Sequence, residues 1–182
     1  MRTIAGVVLF LSAVALSGET KMAEPKYTSD NQLIRPVGYR EWVFVGSSIG
    51  MGYQEAKRSE NDGPQMFHNI YIQPEAYRAY VATGKFPDKT MLVMEVIAPG
   101  SNASINKQGK FEEKFVGIET SVKDQSRVAE KWAYYNFIGD GGKALPQSKA
   151  FAKDACWSCH SEHAQVDNVF VQFYPVLREG RK

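Results

Sequence analysis

A chain of 182 residues, 43% hydrophobic and 12% aromatic, is long enough to bury one core of its own. Its 22 basic and 20 acidic residues leave a formal charge of +2, spread too evenly to argue for nucleic acid or an anionic membrane surface as the main partner. No internal repeat or low-complexity tract stands out.

The N-terminus reads as an export signal rather than as part of a fold. Arg2 supplies a short positive region, Ile4 to Leu16 is an almost uninterrupted apolar run, and Ala15-Leu16-Ser17 offers the small residues a signal peptidase reads. Residues 1–17 are therefore expected to be removed near Ser17, with a retained N-terminal anchor as the alternative, although the run is short for a membrane span. Residues 18–30 are polar and aperiodic, an expected flexible leader, and 31–182 are expected to form a single domain.

Tyr39 to Val45 is short, aromatic and β-branched, and ends at Gly46, which predicts a strand. The glycines of Gly46 to Gly52 match neither a P-loop nor a dinucleotide fingerprint, so this is a connection. Residues 54–65 are charged and turn-prone, and Met66 to Ile72 predicts a second strand. Pro74 to Gly84 carries helix punctuation: proline at the start, Glu75 in the first turn, glycine just past the end. Further strands are expected at Thr90 to Ile97, Phe115 to Ser121 and Trp132 to Ile138, with a polar excursion from Pro99 to Lys114. A helical stretch from Ser148 to Ala164 and a closing strand from Val169 to Leu177 complete the chain. The fold class is thus α+β, mainly antiparallel β-sheet with a few helices.

The late helix contains Cys156-Trp157-Ser158-Cys159-His160. This C-x-x-C-H spacing is the attachment signal for a c-type haem: two thiols must reach the two vinyl groups of one porphyrin, while the next residue's imidazole reaches the iron. At i, i+3 and i+4 on a helix the three side chains share a face. His160 would be the proximal ligand. A dithiol redox pair or half a zinc site are the competing readings. The chain has no second C-x-x-C, only His68 and His163 as further imidazoles, and no βαβ context for a thioredoxin-like motif. Covalent haem attachment takes place outside the bacterial cytoplasm, which agrees with the export signal and gives a periplasmic address.

Gly38-Tyr39-Arg40-Glu41-Trp42-Val43, Ile70 to Tyr77, Gly117 to Asp124, Cys156 to His160 and Phe170 to Arg178 together resemble the cytochrome P-460 family and its cytochrome c′-beta relatives, in the family's order. The resemblance implies a homodimer and one covalent haem c per chain, with a pentacoordinate iron above His160 and an open distal side. Hydroxylamine-oxidising members of this family cross-link a lysine to the macrocycle; the matching position here is Met94, which has no nucleophilic amine. An arginine and a distal carboxylate of those enzymes match His68 and Val166. Lys85 and Lys89 are nearby substitutes in principle, but they sit in the preceding turn rather than on the strand.

These departures imply an apolar distal pocket of the c′-beta kind. Phe44, Phe67 and Met94 are the candidate lining residues, with ordinary core packing as the competing reading of each. His68 is a candidate to hydrogen-bond a bound ligand or to occupy the sixth position, and otherwise a satisfied structural histidine. His163 follows His160 by three residues and belongs to the proximal side. The expected ligand is a neutral diatomic gas such as nitric oxide or carbon monoxide, with a redox partner protein in addition and no catalytic residue assigned. Hydroxylamine oxidation and six-coordinate electron transfer are the alternatives.

Overall fold

The structure, a computed structural model, describes residues 22–52 and 63–180. The expected signal peptide at 1–17, residues 18–21 of the leader and most of the 54–65 loop lie outside the described residues. No helix among the described residues is long and apolar enough to cross a membrane.

The fold is α+β, built on an antiparallel meander. Strands β2 (Val43–Ile49), β3 (Phe67–Ile72), β4 (Met91–Gly100), β5 (Phe111–Lys123) and β6 (Trp132–Asn136) form one five-stranded sheet in sequential order. A minor ladder pairs β1 (Leu33–Ile34) with β7 (Gln147–Ser148). Between β3 and β4, helix α1 (Pro74–Thr83) has the expected punctuation: Pro74 occupies the first turn, and Gly84, left-handed at φ 73°, donates its N–H to the Tyr80 carbonyl at 2.7 Å. Two short helices follow, α2 (Trp157–His163) and α3 (Pro175–Glu179).

Alternation along the strands divides the interior in two. One face gathers Val45, Ile70, Ile72, Leu92, Trp132 and Tyr134 under α1 and the C-terminal segments. The other gathers Tyr39, Met91, Val93, Ile118, Val122, Tyr135 and Phe137 around Leu33. Trp132, Phe137, Ile72 and Val93 are at most 1% exposed, so each contributes about 1.5–3 kcal/mol of transfer free energy.

Several segments differ from the sequence expectation. Residues 39–41 form a 3-10 turn before β2 begins at Val43. Strand β5 starts at Phe111 rather than Phe115, because the β4–β5 hairpin runs on past the core, where Glu112, Glu113 and Lys114 are exposed on both faces and mimic a loop. The helix expected from Ser148 is confined to Trp157–His163, since Ser148 pairs with Leu33 and the Phe151 N–H bonds to the Tyr134 carbonyl at 2.9 Å. The closing strand is absent: Val171–Phe173 is a 3-10 turn with local hydrogen bonds, and Pro175, which has no N–H to give a ladder, opens α3. Residues 22–30, expected as a flexible leader, are fastened to the domain. Met22 packs on the first core, Gln73 donates to the Ala23 carbonyl, and the Tyr27 hydroxyl meets Asp124 at 3.3 Å.

Candidate functional site

A cavity of about 260 Å³ lies between the first sheet face and α2. Ile70, Leu92 and Met94 form one wall, Val169, Phe170 and Tyr174 another, and Cys156, Cys159 and His160 face it from α2 and its N-cap. Exposed Phe151 and Ala155 stand at its rim. The three residues of the sequence motif are therefore brought to one cavity, as their spacing predicts.

His160 is held in a defined state. A carbonyl oxygen only accepts, so the 2.8 Å contact between His160 Nδ1 and the Asn168 carbonyl places the proton on Nδ1 and leaves the Nε2 lone pair free. The ring lies against Tyr134 and Phe170, with centroids at 4.3 and 4.5 Å. Burial lowers its pKa, partly opposed by the Asn168 hydrogen bond, so the imidazole is kept neutral. A neutral, oriented imidazole is the form that ligates a metal.

Both cysteines are unbridged and half-buried. Burial, and then the charges of Glu119 and Cys159, raise the Cys156 pKa, so its thiol stays protonated near neutrality. Among the described residues no group of three or more His, Cys, Asp or Glu side chains could hold a bare metal ion. The donor set of one oriented imidazole and two thiols on an apolar cavity fits a haem tethered by two thioethers. The Asn168 side-chain N–H₂, buried on the same wall without a hydrogen-bond partner, leaves a donor that a bound group can satisfy.

The distal candidates separate. Met94 lines the cavity and also a smaller one of about 30 Å³ beside it, whose wall includes Ser47, Ser48 and His68. His68 is thus on the cavity face of β3 but behind Ile70 and Met94, and burial lowers its pKa. Phe44 and Phe67 line neither cavity. Phe44 is 45% exposed and packs edge-on against Tyr71 at 5.6 Å, on the opposite face of the sheet. A bulge between Phe44 and Gly46 inserts Val45 into the first core and decides which neighbour points where. Phe67 shares its face with Asn69 and Tyr71, opposite His68. Val166 packs against the first core. Lys89 is committed to Asp124 and Ser126, neither Lys85 nor Lys89 lines the cavity, and His163 sits exposed on α2 beside Glu162.

Among the lining residues that sequence reasoning did not pick out, Glu119 is the carboxylate. Glu119 on β5 is the cross-strand partner of Met94 and faces the cavity without a hydrogen bond or ion pair among the described residues. Desolvation raises its pKa above the ordinary carboxylate range. Its register with Met94 was the signal, and it becomes visible only once β4 and β5 are paired.

An antiparallel α+β domain that brings a Cys-x-x-Cys-His face to an apolar cavity is consistent with a haem-binding fold. The chain belongs to the cytochrome P460 family: the family model described as Cytochrome P460 matches residues 36–171, most of the described domain. No curated protein sequence matches the chain.

Proposed function

We propose that this protein is an exported, periplasmic mono-haem c-type cytochrome that binds nitric oxide or a similar neutral diatomic gas, for scavenging or transport. Cys156 and Cys159 would hold the porphyrin through thioethers and His160 would be the protein's axial ligand. When bound, the haem supplies an iron with an open coordination position. The chain's own residues do the rest. The Asn168 carbonyl fixes the His160 ring and its tautomer. Ile70, Leu92 and Met94 keep the wall apolar, which disfavours anionic or strongly hydrated ligands. His68, set behind Met94, reaches the neighbouring small cavity rather than the main one.

The observation that carries this reading is Met94 on the cavity wall, with no lysine or arginine among the described lining residues. A thioether cannot form the amine cross-link that the hydroxylamine-oxidising relatives use. Family membership by itself speaks for the second reading, hydroxylamine oxidation, and Glu119 supports it as a carboxylate within the cavity able to hold or accept a proton. A homodimer and a redox partner protein belong to the proposal through the family resemblance.

Optical spectra of the purified ferric and ferrous holoprotein, with and without nitric oxide and carbon monoxide, separate the readings. Gas binding predicts a high-spin ferrous spectrum that shifts on adding either gas. A strongly red-shifted ferrous Soret band would establish the enzyme reading, and a low-spin ferrous spectrum inert to carbon monoxide would sink gas binding.

A further inference from the structure

His160 takes its orientation from a backbone carbonyl, and that carbonyl sits in an unusual place. Val166 to Val169 is a tight reversal closed by reciprocal backbone hydrogen bonds between its end residues, and its two central residues, Asp167 and Asn168, are both left-handed at φ 46° and 61°. Aspartate and asparagine tolerate that region better than other side chains, but a two-residue left-handed reversal still needs outside support. The support comes from the sheet. Lys123, 8% exposed at the end of β5, donates from Nζ to Asp167 Oδ2 at 2.6 Å and to the Phe86 carbonyl at 2.7 Å. The Trp132 indole on β6 donates to the other Asp167 oxygen at 3.2 Å. From the same strand the Tyr134 hydroxyl reaches the Asn168 carbonyl at 3.4 Å, the acceptor that His160 Nδ1 uses at 2.8 Å.

We propose that Lys123, Asp167 and Trp132 are positioning residues for the axial ligand: they lock the Asp167–Asn168 turn so that the Asn168 carbonyl polarises His160 and sets how strongly its Nε2 donates to the iron. The inference rests on the haem reading above and specifies what tunes it. A firmer Nδ1–H···O=C bond gives the imidazole more imidazolate character, hence a stronger donor that favours the ferric state. Lys123 is the pivot, because it ties the turn to the sheet and to the Phe86 carbonyl at once. Asp167 accepts from both sheet donors, one on each oxygen, so removing its charge weakens the charge-assisted bond without disturbing the left-handed backbone, which asparagine also adopts.

The test uses the holoprotein with Asp167→Asn, Lys123→Met and, as the conservative rescue, Lys123→Arg. The readouts are the iron–histidine stretching band in resonance Raman spectra of the ferrous form and the reduction potential. In Asp167→Asn and Lys123→Met the band should shift to lower frequency and the potential should rise, with Lys123→Arg close to wild type. Lys89→Met breaks another lysine–aspartate pair, to Asp124, and should lower stability without moving either readout. Should Lys123→Met fail to fold, Trp132→Phe removes the indole donor while keeping an aromatic ring, and carries the same expected shift. Folded, haem-loaded Asp167→Asn and Lys123→Met or Trp132→Phe with wild-type band and potential would overturn the positioning role. Wild-type protein lacking thioether-bound haem or an iron–histidine band would overturn the haem reading, and this inference with it.

Discussion

The two faces of the one sheet treat a glutamate in opposite ways, one buried and paired and the other half-buried without a partner among the described residues. Glu95 on β4 is 3% exposed and paired through Oε1, to which the Tyr39 hydroxyl donates at 2.7 Å and Arg40 Nε at 2.8 Å. Glu119, on the neighbouring strand but turned to the other face, has no hydrogen bond or ion pair among the described residues and looks into the cavity. Around Glu95 the side chains close on one another through the Tyr39–Tyr71 and Phe44–Tyr71 contacts. Around Glu119 the wall is left open. One face pairs its carboxylate within the protein, while the other presents a half-buried carboxylate to the cavity with no side-chain partner among the described residues, at a cost that grows as water is excluded from it.

That contrast can be broken or sharpened by mutation. The largest effect belongs to the closed face. Phe137→Ala, at a site with no exposure, should cost about 3–5 kcal/mol, read as a lower urea midpoint at unchanged slope. A loss under about 1 kcal/mol would mean that this face is not the packed half.

The two glutamates come next. Glu95→Gln removes a charge-assisted acceptor and should cost about 1–2 kcal/mol near neutral pH, the low end because Arg40 is 63% exposed and screened by water. Glu119→Gln should be neutral or stabilising. The sign follows from its raised pKa: the folded chain holds the Glu119 proton more tightly than the unfolded chain does. Its contribution is therefore full below the unfolded value and is lost as pH rises through the raised folded value. Urea midpoints compared between acid and neutral pH should show Glu119→Gln gaining on wild type as pH rises, and a gap that narrows would contradict the assignment.

Met94 and Phe44 give the finest comparison, since the sequence named both as lining. Met94→Lys should alter the haem spectrum and its response to nitric oxide, because this side chain stands on the cavity wall. Phe44→Ala should leave both spectra unchanged and cost only about 0.5–1 kcal/mol for an exposed edge-on ring pair. A spectral change in Phe44→Ala would place the bound group on the wrong face of the sheet.

Much of the site was legible in the chain itself. Cys156, Cys159 and His160 come to one cavity, because residues within five consecutive positions can meet one ligand whatever surrounds them. Pro74, Glu75 and Gly84 likewise fixed the bounds of α1, since capping is settled within one turn. Met94, a lining candidate from the sequence, does line the cavity, with Leu92 two residues before it on the same strand face.

Phase and partnership were decided only in three dimensions. A single inserted residue at Val45 sets which way Phe44 points, and nothing in its own segment announces a bulge. Glu119 belongs to the cavity because β5 pairs with β4 in one register, and Phe170 to Tyr174, strand-like in composition, turns because Pro175 follows and its bonds stay local. The support of His160 joins β5, β6 and a left-handed turn across more than forty residues of sequence. Short-range chemistry is written in the order of residues, whereas the neighbours that tune it are chosen by how the sheet folds back on itself.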